Sequence, residues 1–388
     1  MATSEHGTSV HGSAAAAFDA ISPRLRRRPD VEAHDLVAAD ASDRLALVEA
    51  ERVAGPIREA TVIGDRYGAI ALSILAADET ACVRVHQDPI TGEQALRRNA
   101  AELGISLDGR LTHHPLDAGL ADGAGLVILQ LPRGLDALDE IAQTVAASAA
   151  EDARLVAVGR VKHMTLAMND VLARRFREVR ASRGVGKSRA LHATGAVRGP
   201  VTWPREERHD DVGLVIRAHG AAFAGTSLDL GARLMIGTIP QMPDAEYAID
   251  LGCGTGALGV SYALARHGSR VRASDRSAAA VLSARATAEA NGVSDRVEVE
   301  RRDALSAQPD ASADLVLLNP PFHSGSAVTT AIAPRLFADA ARVLRPGGEL
   351  WTVWNSHLRY RPQLERIVGP TRQVARDRTF TVTASARR

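Results

Sequence analysis

The sequence predicts an α/β chain holding two tandem copies of one doubly wound, mostly parallel sheet, the second copy closing on an antiparallel β pair. Three observations carry this. The chain has 388 residues, two to three times the ~100–200 of one domain. Short β-rich runs alternate with helical patterns throughout. The sequence also repeats itself. GDRYGAIAL from Gly64 matches GCGTGALGV from Gly252, and VRVHQ from Val83 matches VRASD from Val271, both 188 positions apart. LVILQLPRG from Leu126 then matches LVLLNPPFH from Leu315, 189 positions apart. Repeated matches in unchanged order at nearly one offset mark a duplication.

In the second copy, strands are expected at EYAIDLG, SRVRASD, RVEVERRD, ADLVLLN and GELWTVWN. ALGVSYALARHG, SAAAVLSARATAEANG and TTAIAPRLFADAARVLRPGG between them carry apolar residues at three- and four-residue spacing and end at glycine, as helices do. RQVARDRTF and FTVTASARR form the final pair. Residues 1–20, rich in Ser, Gly and Ala, read as a flexible tail, 21–192 as the first domain, and 211–388 as the second. Between them, 193–210 reads as a linker, because Gly195, Gly199, Pro200 and Pro204 break both periodicities.

Composition narrows the function. Hydrophobic residues at 45% and charged residues at 24% exclude general disorder and a fibrous fold. Lys+Arg (47) nearly cancels Asp+Glu (46), so the chain is no uniformly basic nucleic-acid binder, and any polyanion site comes from local asymmetry. Two cysteines, Cys82 and Cys253, give neither a disulfide framework nor a four-cysteine zinc site. The most apolar stretch, 68–77, is far shorter than the ~18–20 residues that span a bilayer. A cytoplasmic, metal-free monomer away from membranes is expected.

AIDLGCGTGALG (248–259) reads as a strand entering a glycine turn and then a helix. Gly252, Gly254 and Gly256 permit a tight turn and close approach of a ligand. Gly254, Gly256 and Gly259 also satisfy G-x-G-x-x-G, so a dinucleotide must be weighed. Asp250 discriminates: a carboxylate there repels a pyrophosphate and suits a cationic, phosphate-free ligand such as S-adenosylmethionine. Asp275, closing the second strand, can accept from both ribose hydroxyls, or be a plain strand-end aspartate. Asp303, after the third, can accept from an adenine amino group or cap the following turn.

The fourth strand ends in Asn319-Pro320-Pro321-Phe322. Ligands in open α/β sheets bind outside the carboxyl ends of the strands. An exocyclic amine on a purine is a poor nucleophile, its lone pair being drawn into the ring. The side-chain oxygen of Asn319 and the main-chain carbonyl of Pro320 can each accept one of its hydrogens, aiming the nitrogen and stabilising the developing positive charge. Phe322 offers a stacking face. The bland alternative is a rigid Pro-Pro turn with a core Phe.

The first copy lacks these groups: Gly254 aligns with Arg66, Asp250 with Val62, Asp275 with Gln87, Asn319 with Gln130, and Phe322 with Arg133. An arginine in the turn obstructs a cationic cofactor, so this copy is expected neither to bind it nor to catalyse. Its end carries a basic run, including Arg174, Arg175, Arg177 and Lys187, that reads as an RNA footprint or as a solvated face.

These residues resemble the class I S-adenosylmethionine-dependent methyltransferases, with Rossmann-like domains, and among them the bacterial guanine-N2 methyltransferases that modify the RNA of the small or of the large ribosomal particle. The resemblance covers nearly the whole chain. It rests on FAGTSLDLGARLMIGTIP, DLGCGTG, NPPFH and WNSHLRYRPQLERIVG in the second copy, and on AADASDRLAL, LPRGLDAL and GKSRAL in the first, which look more like the large-subunit enzymes. It implies a degenerate, RNA-binding first domain and a second that methylates N2 of one guanine in ribosomal RNA, naked or in an assembling particle. It further implies Asp250, Gly252, Gly254, Gly256, Asp275, Asp303 and Asn319 at the cofactor, the Asn319–Phe322 motif at the chemistry, and Phe223 and Asp229 near the entrance. The motif N-P-P-[FY] also serves adenine-N6 and protein-glutamine methylation, and the duplicated architecture favours guanine. A noncatalytic assembly factor stays a third reading, with a nicotinamide dehydrogenase the weakest.

Overall fold

The computed structural model describes residues 12–34, 36–320 and 327–388. The chain divides into two compact units between Val201 and Thr202, with 88–90 counted to the second. In the first, strands β1 (Glu59–Ile63), β2 (Cys82–His86), β3 (Leu111–His113), β4 (Leu126–Gln130), β5 (Arg154–Arg160), β6 (Phe176–Ala181) and β7 (Ser188–Ala196) form one sheet in the order 3-2-1-4-5-7-6. A hairpin, β8 (Arg205–His209) and β9 (Leu214–Ala218), follows. In the second unit β10 (Tyr247–Leu251), β11 (Arg270–Asp275), β12 (Val297–Arg301), β13 (Ala313–Leu318), β14 (Leu344–Asn355), β15 (Thr371–Arg376) and β16 (Phe380–Ala386) take the corresponding order 12-11-10-13-14-16-15. The expected duplication is thus a duplication of topology. In each sheet five strands run parallel and the last two pair antiparallel.

Helices cover both faces: α1 (Ala14–Ile21), α2 (Ala41–Ala54), α3 (Ala69–Ala77), α4 (Ile90–Leu103), α5 (Ala118–Ala121), α6 (Leu135–Ser148) and α7 (Leu166–Ala173), then α8 (Leu230–Ile236), α9 (Ala257–Ala265), α10 (Ala278–Ala290), α11 (Ala327–Val343) and α12 (Arg361–Ile367). Alternation along the central strands builds the layers. Ala248, Leu315 and Leu317 enter the core on one face of the second sheet, Ile249, Leu251, Val316 and Leu318 that on the other.

Three sequence expectations need correction. The tail expected over 1–20 contains α1, whose Ala14, Ala15, Phe18 and Ile21 are buried in the first core. Ser13 caps it by accepting from the Ala16 amide, and small side chains pack where their composition suggested looseness. Residues 1–11 lie outside the described residues. The linker expected over 193–210 is narrower, because β7 continues to Ala196 and β8 starts at Arg205. The glycines of RPGG do not cap α11. That helix stops at Val343 and 345–348 run within β14, where a Cβ on Gly348 would meet the Asp314 carbonyl oxygen at 2.9 Å.

Gly256 opens α9 at φ +81°, and a Cβ there would meet Ala284 of α10 at 3.0 Å. Its counterpart Gly68 opens α3 at φ +92° against Leu96 of α4. Gly256 therefore lets two helices approach. Gly256→Ala should destabilise the protein by about 1–3 kcal/mol, read as a lowered urea midpoint.

Candidate active site

The candidate site lies where the strand order of the second sheet reverses, at the carboxyl ends of β10, β11 and β13. A helix that begins inside an apolar core leaves amides that need an acceptor. Asp250, 1% exposed, supplies it: its Oδ2 accepts from the Gly259 amide in the first turn of α9 at 2.8 Å. A Cβ on Gly259 would meet that oxygen at 2.9 Å, which explains the third glycine of G-x-G-x-x-G. Burial pushes the Asp250 carboxyl up to about 7, against the pull of the Gly259 amide and with a push from nearby Asp275.

Asp275 holds the turn from the neighbouring strand. Its Oδ2 accepts from the Gly254 amide at 3.0 Å and its Oδ1 from the Ser277 amide at 2.9 Å, and burial raises its pKa. Each carboxylate oxygen keeps a further lone pair for a ligand hydroxyl. Gly252 and Gly254, at φ +70° and +54°, have nothing within 4 Å of an added Cβ, so the outer face of the turn is open to a ligand. Gly256 faces α10 instead. Asp303, two residues past β12, accepts from Arg335 of α11 at 2.7 Å. The sequence pattern held no sign of that ion pair.

At the end of β13, the Asn319 amide is fixed at one end. Its Nδ2 donates to Asp229 Oδ2 at 3.1 Å, and the same oxygen caps α8 by accepting from the Ala232 amide at 3.1 Å. Asn319 Oδ1 is buried and has no hydrogen-bond partner among the described residues. Because a carboxylate only accepts, this pairing settles which end of the amide is the nitrogen. Pro320 is buried, while Pro321 and Phe322 lie outside the described residues. Phe223, in the segment between β9 and α8, is 63% exposed.

The basic residues singled out from sequence belong to the first unit, and two serve the fold. Arg174 lies 3.7 Å from the Asp139 carboxylate, and Arg175 donates to the Pro200 carbonyl at 2.9 Å. The Arg177 stem packs beside Gly195, and Lys187 sits at φ +66° between β6 and β7.

In the first unit the equivalent edge is filled. Asp65, at the position of Cys253, accepts from the Ala71 and Ile70 amides of α3 at 2.8 and 3.3 Å. Ala71 stands where Gly259 stands in the second unit, so the helix end has the same kind of acceptor, delivered from the turn instead of the strand. Burial raises the Asp65 carboxyl to about 6 despite those amides. Arg66, the expected obstruction, reaches Asp40 at 3.4 Å and Asp43 at 3.9 Å. Gln87 Nε2 donates to the Asp65 carbonyl. Gln130, the counterpart of Asn319, donates to Asp43 at 2.7 Å and accepts from Ser42 Oγ at 3.5 Å. Both ends of that amide are occupied.

Two seven-stranded sheets of this order, one with an open glycine turn and an amide poised beside it, define a duplicated methyltransferase-type chain. Residues 213–384 match the Methyltransferase small domain, and residues 14–196 the RLMG N-terminal domain. Ribosomal RNA large subunit methyltransferase G of Streptomyces coelicolor is 35% identical over 92% of this chain and 96% of its own. The protein of the same name from Pseudomonas aeruginosa is 34% identical, with the same coverage. The fold is shared with a 16S rRNA N2 methyltransferase of T. thermophilus (RsmC), solved with AdoMet and guanosine, at TM-score 0.71 and 21% identity over 90% of this chain and 92% of that one. The chain belongs to the ribosomal RNA large subunit methyltransferase G family.

Among the described residues no helix is long and apolar enough to cross a membrane, and no group of three His, Cys, Asp or Glu side chains is placed to hold a metal.

Between pH 4 and 7 folded Asp250 keeps a proton that the unfolded chain has released, so its contribution to stability falls as pH rises through this window. Asp250→Asn keeps an oxygen for the Gly259 amide and removes the titration. Unfolding of the variant across pH 4–8 should lack a loss on the order of 1–4 kcal/mol that the native protein shows. Identical pH profiles would contradict the assignment.

Proposed function

We propose that this chain transfers a methyl group from S-adenosylmethionine to the exocyclic N2 amine of a guanine in large-subunit ribosomal RNA. Family membership supports the reaction class, and the names of its relatives support the RNA. The observation that carries the reading is the Asn319 amide: nitrogen tied to Asp229, oxygen buried and without a partner among the described residues. Such an acceptor, beside an open turn at a sheet's switch point, suits an amine hydrogen.

The residues present fit the cofactor. The open faces at Gly252 and Gly254 form a cradle, and Asp275 has lone pairs for ribose hydroxyls. Asp303, paired with Arg335, serves the adenine edge. Asp250 acts through the turn it supports, and Gly256 through packing. When bound, the sulfonium supplies an electrophilic methyl. Asn319 Oδ1 and the Pro320 carbonyl hold the amine hydrogens so that the nitrogen lone pair points at that carbon, and they stabilise the cation as the bond forms. Phe223 and Phe322 offer faces to the guanine, while Asp229 positions Asn319. The N–C bond forms as the methyl's bond to sulfur breaks, leaving a neutral thioether, and the amine proton, acidic only once the nitrogen is cationic, is then lost to water, so the transfer needs no redox partner.

Asn319→Ala should lower kcat about 100- to 1,000-fold while changing the Kd for S-adenosylmethionine less than about threefold. Asp229→Ala removes the one oxygen that both holds Asn319 Nδ2 and caps α8, and should lower kcat about tenfold or more while costing about 1 kcal/mol of stability, read from kinetics and a urea midpoint. Native turnover in Asn319→Ala would sink the proposal. A methyl group found on adenine N6 or a protein glutamine would change the substrate.

A further inference from the structure

The hairpin that precedes the second sheet stands outside it. β8 and β9 form a two-stranded sheet of their own, and three side chains of α10 take up the other edge of β9. The Val215 amide donates to Asn291 Oδ1 at 3.0 Å, and Asn291 Nδ2 donates to the Val215 carbonyl at 2.6 Å. Thr287 Oγ1 accepts from the Arg217 amide and donates to the Arg217 carbonyl, both at 3.1 Å, and Ser283 Oγ accepts from the His219 amide at 2.9 Å. The two periods match. Two strand residues rise about 6.8 Å and four helical residues about 6 Å, so successive partners stay in step. The hairpin turn is tied down as well, with Asp211 paired to Arg233 of α8.

From β9 the chain enters 219–229, an arch that ends at Asp229, the residue that holds Asn319 and caps α8. Overlapping turns run through it: the Ala222, Gly225 and Ser227 amides donate to the His219, Ala222 and Ala224 carbonyls. Ala222 and Leu228 point into the core, whereas Phe223 is 63% exposed and Leu230, directly after the arch, 67%. Among the described residues of the second unit, these are the two large apolar side chains that stand exposed. Ala224 and Gly225 take φ +63° and +57°, a left-handed pair that an alanine adopts only where its surroundings hold it.

The hold comes through Thr226. Its carbonyl accepts from His209 Nε2 at 2.8 Å, and its hydroxyl donates to Glu207 Oε2 at 2.8 Å. His209 and Glu207 are two residues apart on β8 and so face the same way. His209 is buried, and because a carbonyl only accepts, its Nε2 carries the hydrogen. Phe223 and Asp229 each lie three residues from this fixed point.

The duplication supplies a comparison within the chain. Asp40 caps α2 as Asp229 caps α8, and Asp40, Arg44 and Leu45 match Asp229, Arg233 and Leu234 at an offset of 189. Among the described residues, however, no strand precedes α2. The braced arch belongs to the unit that carries the candidate chemistry. An aromatic face held in place beforehand need not be ordered when a base arrives.

We infer that His209 and Glu207 are positioning residues for the methyl transfer: through Thr226 they hold the 219–229 arch so that Phe223 is set to stack on a base of the RNA. This rests on the reading of the chain as an RNA methyltransferase and deepens it.

The test measures steady-state transfer to protein-free large-subunit ribosomal RNA by the full chain. His209→Ala should raise KM for the RNA at least about fivefold and change kcat less than about twofold, because Asp229 keeps its own bonds to Asn319 and α8. His209→Gln returns an N–H close to the place of Nε2 and should bring KM back to within about twofold of native. Glu207→Ala, at an exposed side chain, carries the test should His209→Ala not fold, and should raise KM about threefold. Phe223→Ala should raise KM at least about fivefold by itself, and adding His209→Ala to it should cost less than about twofold more, since the arch then has no ring to present. The Kd for S-adenosylmethionine should stay native in every variant. An unchanged KM in Glu207→Ala, a loss that His209→Gln fails to restore, or full additivity of His209→Ala and Phe223→Ala would each overturn the brace. With native methylation intact, such a result refutes only the brace. A native protein that transfers no methyl to the RNA refutes the function, and the brace with it.

Discussion

A parallel strand that turns directly into a helix must bury the helix's first amides in an apolar core, and everything at this site depends on how those amides are satisfied. The second unit answers with Asp250 from the strand beneath the turn. With the acceptor placed there, the turn needs no side chains: Gly252 and Gly254 stay bare, and Asp275 steadies them from the next strand. The first unit answers with Asp65 from within the turn itself. Its neighbour is Arg66, and Arg66, Asp40, Asp43 and Gln130 close over the edge as a polar network. The same demand, met from two places, leaves one edge open and the other filled.

That difference extends to the amides at the ends of β13 and β4. Gln130 has partners for both its nitrogen and its oxygen, whereas Asn319 has a partner for its nitrogen alone among the described residues. An unpaired buried acceptor costs stability, on the order of 1–3 kcal/mol. A ligand hydrogen would offset that cost, and the place of this oxygen beside the open turn gives it more weight than the motif around it. The Asp229 carboxylate links this geometry to the start of α8, so the orientation of one amide is set by the N-cap of a helix 90 residues earlier in the chain.

Much of this was legible in the sequence because it is written in local patterns. Short β-rich runs marked the strands, the glycine string marked the turn, and the repeat marked the shared topology. What stayed hidden depends on partners distant in sequence. The Asp229–Asn319 pair, the Asp303–Arg335 pair and the capture of Arg175 by the Pro200 carbonyl have no signature in spacing. The repeat aligned Asp250 with Val62 and so concealed that Asp65 performs its task from three positions further on. Gly256 looked like a ligand-binding glycine, yet its Cβ space belongs to Ala284. The alanine-rich start of α1 looked loose because small residues carry little hydrophobic signal, although they pack closely once Ser13 caps the helix.

Methylation of guanine N2 in large-subunit RNA by the second unit can be read by mass spectrometry of nucleosides from large-subunit ribosomal RNA of cells with and without the gene. One N2-methylguanosine should disappear on deletion and return when the purified native protein methylates the isolated RNA in vitro. An unchanged N2-methylguanosine content on deletion, with no transfer to the RNA by the purified protein, would contradict it.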